Sequence, residues 1–432
     1  MATGASNEML VAGQPPARTV TRRQAILATV IGSGLEWFDF SGYAFFAAII
    51  GKLFFPSGNE TTSLLLALAT FGVGFVMRPL GGIAFGIYAD KVGRKRALSL
   101  AMLVMALGSA IIAFAPTYES IGIAAPCLIV IARLLQGLSA GGEMGGATAF
   151  LTEHAPANRR AFYSSWIQTS VGFAVVIGSL TGTLITTSLS AESLTSWGWR
   201  IPFVIGMLVA PVGYYIRLKI DETPEFKSEK HHTNTPLRDV IREYPRGVIS
   251  NLLMVVLWTV CTYVILFYIP TYVVKYLHMT QREGFTSGIV SGVVLMVMAP
   301  VFGALSDKVG KQRVVSVAAL IILIASYPLF SHLIRSPDFT TLLIFQAIFG
   351  VLIAAYTGPI LALFTEMFPS RVRTTGLSLA YNGAVTIFGG FASFIITWLT
   401  QATGDAESAS YYIIFAAVVS LIGTRLMKPH QS

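Results

Sequence analysis

Long apolar runs separated by short clusters of charged and turn-forming residues organise this chain from residue 24 to residue 424. A bilayer core about 30 Å thick takes roughly 20 apolar helical residues to cross. Bounding each run by its flanking charges gives twelve candidate spans, at 24–51, 61–89, 97–118, 120–152, 161–191, 201–216, 247–274, 284–306, 314–334, 339–365, 374–404 and 408–424. The sixth and twelfth are short, and Trp197 with Trp199 would anchor the sixth at a membrane–water interface. The pattern predicts an all-α integral membrane protein, because a helix satisfies its own main-chain polar groups in lipid. An even number of spans puts both termini on one side.

Composition agrees. Of 432 residues, 54% are hydrophobic and 12% charged, against about 25% charged in a soluble domain. This excludes a cytosolic enzyme, a disordered chain and a disulfide-rich secreted scaffold. The formal charge of +9 would suggest nucleic acid, but the basic residues sit in short loops between apolar runs, so no nucleic-acid partner is expected. The termini and alternate loops hold 23 of the 30 Lys and Arg. The other side holds Lys52, Arg200, Lys275, Arg282 and Arg335, so both termini are expected in the cytoplasm of a multi-pass protein of a bacterial inner membrane. Met1–Pro16 is polar and the first apolar run is too long for a signal peptide, so no cleavable leader is expected. Cys127 and Cys261 lie in apolar stretches and say nothing about redox compartment.

The chain reads as two related halves. GIYADKVGRKR (Gly86–Arg96) follows span two and GALSDKVGKQR (Gly303–Arg313) follows span eight; TEHAPANRR (Thr152–Arg160) follows span four and TEMFPSRVR (Thr365–Arg373) follows span ten. Two different motifs in the same order at corresponding loops imply duplication, the architecture of secondary transporters with a midplane site. The expected division is a tail at 1–23, a six-helix bundle at 24–218, a linker at 219–246, a second bundle at 247–426 and a tail at 427–432. Within the linker, PLRDVIREY has the pattern of a surface-lying amphipathic helix.

These residues resemble the major facilitator superfamily, whose most specific loop motif is the GxxxD[K/R]xG[R/K]x[R/K] pattern between spans two and three, with a degenerate copy between eight and nine. Within it the chain is similar to the metabolite-proton symporter family, whose members carry citrate, tricarballylate, 2-oxoglutarate, shikimate, or proline and betaine. GLEWFDF (34–40), GFVMRPLGG (74–82), RLLQGLSAGGEMGG (133–146), WGWRIPF (197–203), DETPEF (221–226) and TEMFPSRVRTTGLSLAYN (365–382) carry the resemblance over most of the chain. PDFTTLL (337–343), Tyr356–Pro359 and VTIFGGFASF look most like citrate and tricarballylate symporters. The resemblance implies the twelve-helix fold of two pseudo-symmetric bundles, with spans one, four, seven and ten lining the substrate path.

Five ionisable residues interrupt the spans: Glu36 and Asp39 in span one, Arg78 in span two, and Arg133 and Glu143 in span four. Each costs about 2.5–3.5 kcal/mol at a helix centre, so they are expected to face protein or water. Glu36, Asp39 and Tyr43 share one face of span one, as Arg133 and Gln136 share one of span four. Arg78 and Arg133 are candidate carboxylate clamps, since a guanidinium fork binds carboxylate bidentately. Asp39 or Glu36, with Glu143 as a third candidate, is expected to carry the proton and to exchange Arg133 with an anionic substrate as partner. The alternative is a set of structural salt bridges holding spans one, two and four together. The second half offers polar and aromatic groups instead, among them Tyr263, Gln346, Tyr356, Tyr381 and Asn382, of which Tyr263, Tyr356 and Asn382 join Arg78, Arg133, Gln136 and Tyr43 as candidate substrate ligands.

The loop motifs read as gates. Asp90 and Arg94 lie at ion-pair spacing, Gly86 and Gly93 would permit close helix approach and a tight turn, and Asp307 and Lys311 repeat the arrangement. Glu153 with Arg160, and Glu366 with Arg373, would pair across the halves when the cytoplasmic side is closed. Other signals are set aside. The GxSxG at 137–141 lies inside an apolar span with no histidine at its depth, so Ser139 is not expected to be a hydrolase nucleophile; Gly137, Gly141 and Gly145 instead form a helix-packing ridge. No Walker motif is present, and His231–His232 reads as a solvated pair rather than a metal site.

The expectation is a proton-coupled importer of a small organic anion, acting as a monomer with no cofactor and with the proton as co-substrate. A zwitterionic osmolyte symporter and a drug/proton antiporter are the alternatives.

Overall fold

The computed structural model describes residues 22–92, 94–141, 144, 148, 151–152, 155–207, 211, 236–369 and 372–427, within which every regular element is helical. Among the described residues, each of the twelve apolar runs contributes a helical segment. α1 is Arg22–Phe45, continued by Ala47–Phe54; α2 is Glu60–Val92, α3 Arg94–Phe114, α4 Ala124–Ala140 and α5 Ala157–Ser188. α6 is described over 201–207 and 211. α7 is Pro245–Leu277, α8 Gln281–Val309, α9 Lys311–Arg335, α10 Phe339–Thr365, α11 Arg373–Thr403 and α12 Ser408–Leu426. Eight of these, α2, α5 and α7–α12, are long and apolar enough to cross a membrane. Leu80, Leu103, Val297, Ile324 and Trp398 are each more than half exposed, an apolar exterior suited to lipid. The linker motif is a helix over Pro236–Glu243, its Val240 buried and its Arg238 and Arg242 exposed.

Local chemistry sets the helix ends. Thr280 and Glu283 form a reciprocal capping box at the start of α8, and Asp338 caps α10 by accepting from the Thr341 amide at 3.0 Å. Pro79, Pro300, Pro328 and Pro359 lie inside helices, which membrane proteins tolerate because neighbouring helices satisfy the freed carbonyls. Among the described residues two helices contain a π-helical stretch: α7 over Thr262–Tyr268 and α11 over Val385–Gly389. A π turn holds an extra residue and so shifts which side chains face a neighbour.

The packing repeats between halves. α2 packs on α4, α3 on α4 and α1 on α5; the second half pairs α8 with α10, α9 with α10 and α7 with α11. The halves meet where α5 runs along α8 and where α2 runs along α11, the same contact under the repeat. Small residues set the spacing. A Cβ on Gly137 would lie 1.6 Å from the Gly74 carbonyl oxygen, and one on Gly141 would lie 1.9 Å from that of Arg78, so α2 and α4 touch main chain to main chain. On the α5–α8 seam a Cβ on Gly172 would lie 2.7 Å from the Gly292 oxygen, and the Thr169 hydroxyl donates to the Met296 carbonyl at 3.1 Å.

Each end of the bundle carries a bond between halves. At the end bearing the basic loops, Asp307 in the last turn of α8 accepts from the main-chain amides of Ala161 (3.0 Å) and Phe162 (2.9 Å), in the opening turns of α5. A carboxylate there meets the positive end of the helix dipole. At the other end Lys275 of α7 donates to the Thr61 hydroxyl of α2 at 2.8 Å.

Two sequence expectations are corrected. Trp199 does not anchor at an interface; it is fully buried, edge-on to Phe54 and Phe203, while its neighbour Trp197 is half exposed. Gly86 is exposed and a Cβ there would meet nothing within 4 Å, so close helix approach is not its contribution.

Candidate functional site

Asp39 and Arg133 both lie deep in the first half, each fully or almost fully buried. They are not in direct contact but are joined through an amide. Arg133 Nη1 donates to Gln136 Oε1 at 2.8 Å, and Gln136 Nε2 donates to Asp39 Oδ2. The other carboxylate oxygen, Oδ1, accepts from the Ser109 hydroxyl of α3 at 2.5 Å. Gln136 and Ser109 are fully buried, so the carboxylate has exchanged water for two protein donors, which is what a buried charge requires.

The helices that hold these groups leave room for them. A Cβ on Gly206 of α6 would lie 2.5 Å from Asp39 Oδ1, and one on Gly108 of α3 would lie 2.7 Å from Gln136 Cγ. Arg133 and Gln136 meet because three residues on a helix place them on one face.

Aromatic rings surround both arginines. The Arg133 guanidinium carbon lies 4.7 Å from the ring centres of Tyr43 and Phe71 and 5.0 Å from that of Phe40. Arg78 lies 4.5 Å from Phe75, 4.8 Å from Phe40 and 5.9 Å from Trp37. Phe40 therefore sits between two cations, and its ring quadrupole offsets part of their desolvation. Tyr263, on the π-helical stretch of α7, closes the group from the second half against Phe75, Phe71, Trp37 and Phe267. Inside the protein, Arg78 Nε, Arg133 Nε and the hydroxyls of Tyr263, Thr259 and Thr262 are buried without a hydrogen-bond partner. A buried donor without a partner is costly, and of these hydroxyls Tyr263 is the one close enough to Arg78 and Arg133 to interact with them. The arrangement sets two guanidiniums and the Tyr263 hydroxyl near the Asp39 carboxylate.

The remaining candidates distribute as follows. Glu36 is half-buried and close enough to Tyr263 and Tyr381 to interact with them electrostatically. Tyr43 donates to the Ala67 carbonyl at 3.1 Å while its ring supports Arg133. Tyr356 lies apart from this group: its hydroxyl donates to the Met254 carbonyl at 2.7 Å and pairs with Ser420, tying α10 to α7 and α12. Asn382 spans the halves by donating to the Gly141 carbonyl at 3.0 Å. Glu366 accepts from Lys311 at 2.8 Å, Lys311 stands 4.0 Å from Asp307, Arg373 donates to the Thr365 carbonyl at 3.2 Å, and Arg160 is exposed. Gly93, Glu143 and Glu153 lie outside the described residues, as do the side chains of Asp90 and Arg94. Ser139 donates to the Ala101 carbonyl at 2.6 Å, a helix-packing bond.

Sequence reading missed Ser109, Phe40, Phe71 and Phe75. A serine in an apolar helix usually bonds its own preceding turn, and a phenylalanine there reads as core, so no spacing signal distinguishes them.

The family model described as Major Facilitator Superfamily matches residues 29–333 and 290–429. The chain is 37% identical over 404 residues to a citrate-proton symporter of Salmonella typhi, covering 93% of each chain. It is 32% identical over 418 residues to a proline/betaine transporter of Escherichia coli K12, covering 94% of this chain and 83% of the other. In fold it is similar to the xylose transporter XylE of E. coli in a partially occluded inward-open conformation, with TM-score 0.78, 17% identity, and coverage of 95% of this chain and 99% of that one. This multi-pass membrane protein is thus a transporter rather than an enzyme, and it belongs to the major facilitator superfamily.

Proposed function

We propose that the protein imports a small organic anion, a dicarboxylate or tricarboxylate such as citrate or tricarballylate, together with protons. It does so by alternating access across a bacterial inner membrane, as a monomer with both termini in the cytoplasm. The observation that carries this reading is the pair of buried arginines flanking Phe40, with donors uncommitted inside the protein, beside the Asp39 carboxylate. Two guanidiniums at mid-bilayer depth are expensive unless they receive anionic charge, and their forks match carboxylates. Moving each uncompensated negative charge inward costs about 2.3 kcal/mol per 100 mV, so potential-driven uptake takes more protons than the anion has charges.

A zwitterion is the second reading, supported by the similarity to proline/betaine transporters. Electrogenic uptake of citrate, tricarballylate and betaine into vesicles reconstituted with the purified protein separates them. Proton-driven accumulation of a carboxylate is expected, and transport of betaine alone overturns the anion reading.

A further inference from the structure

We propose that Gln136 and Ser109 are positioning residues that convert the charge state of Asp39 into the availability of Arg133; this rests on the symport reading above. An amide has one end that only accepts and one that only donates, and Gln136 uses both. Its Oε1 takes the Arg133 Nη1 hydrogen at 2.8 Å, and its Nε2 donates to Asp39 Oδ2. That orientation fits an Asp39 whose Oδ2 carries no proton. A proton on Oδ2 replaces an acceptor by an O–H donor, which faces the Nε2 donor.

The mismatch resolves when the amide turns by half a revolution about its terminal bond. Oε1 then accepts from the Asp39 hydroxyl, and Nε2 points at Arg133. Donor now opposes donor, the Arg133 contact is lost, and Nη1 is released toward an anion. No covalent bond forms or breaks other than that of the transferred proton.

Ser109 makes the switch directional. Its hydroxyl donates to Asp39 Oδ1 and lies 3.1 Å from Gln136 Nε2, with the Met105 carbonyl at 3.2 Å as its other acceptor. While it donates to Oδ1, an arriving proton is directed to Oδ2, the oxygen that Gln136 reads. Among the described residues, Arg133 is the charged group that acts on Asp39. Arg133 faces it from α4, Glu36 and Tyr43 share α1, α3 presents Ser109, and α6 presents Gly206; Arg78 of α2 and Tyr263 of α7 stand beyond, around Arg133.

Two variants test this in full-length protein. Gln136→Met keeps the volume and removes both hydrogen bonds. Proton-driven accumulation is expected to fall by about tenfold or more, and the pH dependence of substrate affinity to flatten. Ser109→Ala removes one donor from the ionised carboxylate. It should move the pH midpoint of uptake upward by about one to two units, the equivalent of one hydrogen bond to a charged acceptor, and Ser109→Thr should restore it.

Infrared titration of the purified protein reads the same switch without substrate. The carbonyl band of a protonated buried carboxyl should vanish in Asp39→Asn and should persist to higher pH in Ser109→Ala. Unchanged coupling in Gln136→Met, or an unmoved infrared midpoint in Ser109→Ala, overturns the proposal, and the serine arm stands if the glutamine variant fails to fold. Vesicles that transport neither class of solute while the infrared shift holds would reject the symport reading and leave the switch standing.

Discussion

The guanidinium carbon of Arg133 lies within 5.0 Å of the ring centres of Tyr43, Phe71 and Phe40, which makes its shape as important as its charge. In Arg133→Lys the ammonium keeps the charge but loses the planar contact and the fork. Substrate affinity in a binding assay should fall by about tenfold or more, the equivalent of roughly 1.4 kcal/mol, even though net charge is unchanged. Tyr356 gives the opposite expectation. Its hydroxyl serves Met254 and Ser420, so Tyr356→Phe should cost about 1 kcal/mol of stability in a thermal melt and leave substrate affinity where it was. Glu36, Asp39, Arg78 and Arg133 were legible in the sequence because ionised groups are conspicuous among apolar ones, and the helical repeat joined Arg133 to Gln136. Tyr356 was not separable from Tyr263, because a periodicity gives a face and not the neighbour that face meets. Ser109 carried no signal, since its importance comes from a partner seventy positions away.

At the scale of elements, glycine and caps carry the consequences. Gly137→Ala would press a methyl group into the Gly74 carbonyl, and since the obstacle is main chain, α2 and α4 must separate. The expected outcome is a large loss of folded yield, measured by size-exclusion of solubilised protein, whereas Gly86→Ala meets open space and should be neutral. Thr280→Ala opens the capping box of α8 and should cost about 1 kcal/mol. Asp338 supplies a pH signature. Its carboxyl is held below the ordinary carboxylate range by the Thr341 hydroxyl and amide, so its contribution is complete above that range and is lost as pH falls through the lowered value. The difference in melting temperature between wild type and Asp338→Asn should therefore shrink in acid. The apolar runs foretold the helices, and the Gly137/Gly141 spacing foretold their tight contact. The π turns of α7 and α11 were not legible, because one extra residue in a turn leaves the hydrophobic run intact.

The whole molecule repeats its plan without repeating its chemistry. Both seams between halves follow from one contact used twice, while the buried arginines and Asp39 belong to the first half alone. The duplicated loop motifs revealed the repeat in the sequence, but they gave no hint that Asp307 reaches the amides of α5 rather than a basic side chain across the seam. Asp307→Ala should loosen the end we assign to the cytoplasm, so that Ser165→Cys, introduced on the same seam, reacts faster with an impermeant thiol reagent applied from that side. Equal labelling rates would remove Asp307 from the closure. Because the donors it engages are peptide groups, the fastening does not depend on which side chains occupy 161 and 162. Every residue except proline supplies the same N–H, so the fastening itself makes no demand on side-chain identity at these two positions, while it does demand the carboxylate opposite them. A functionally constrained contact can therefore leave only one of its two partners visible to any comparison of homologous sequences.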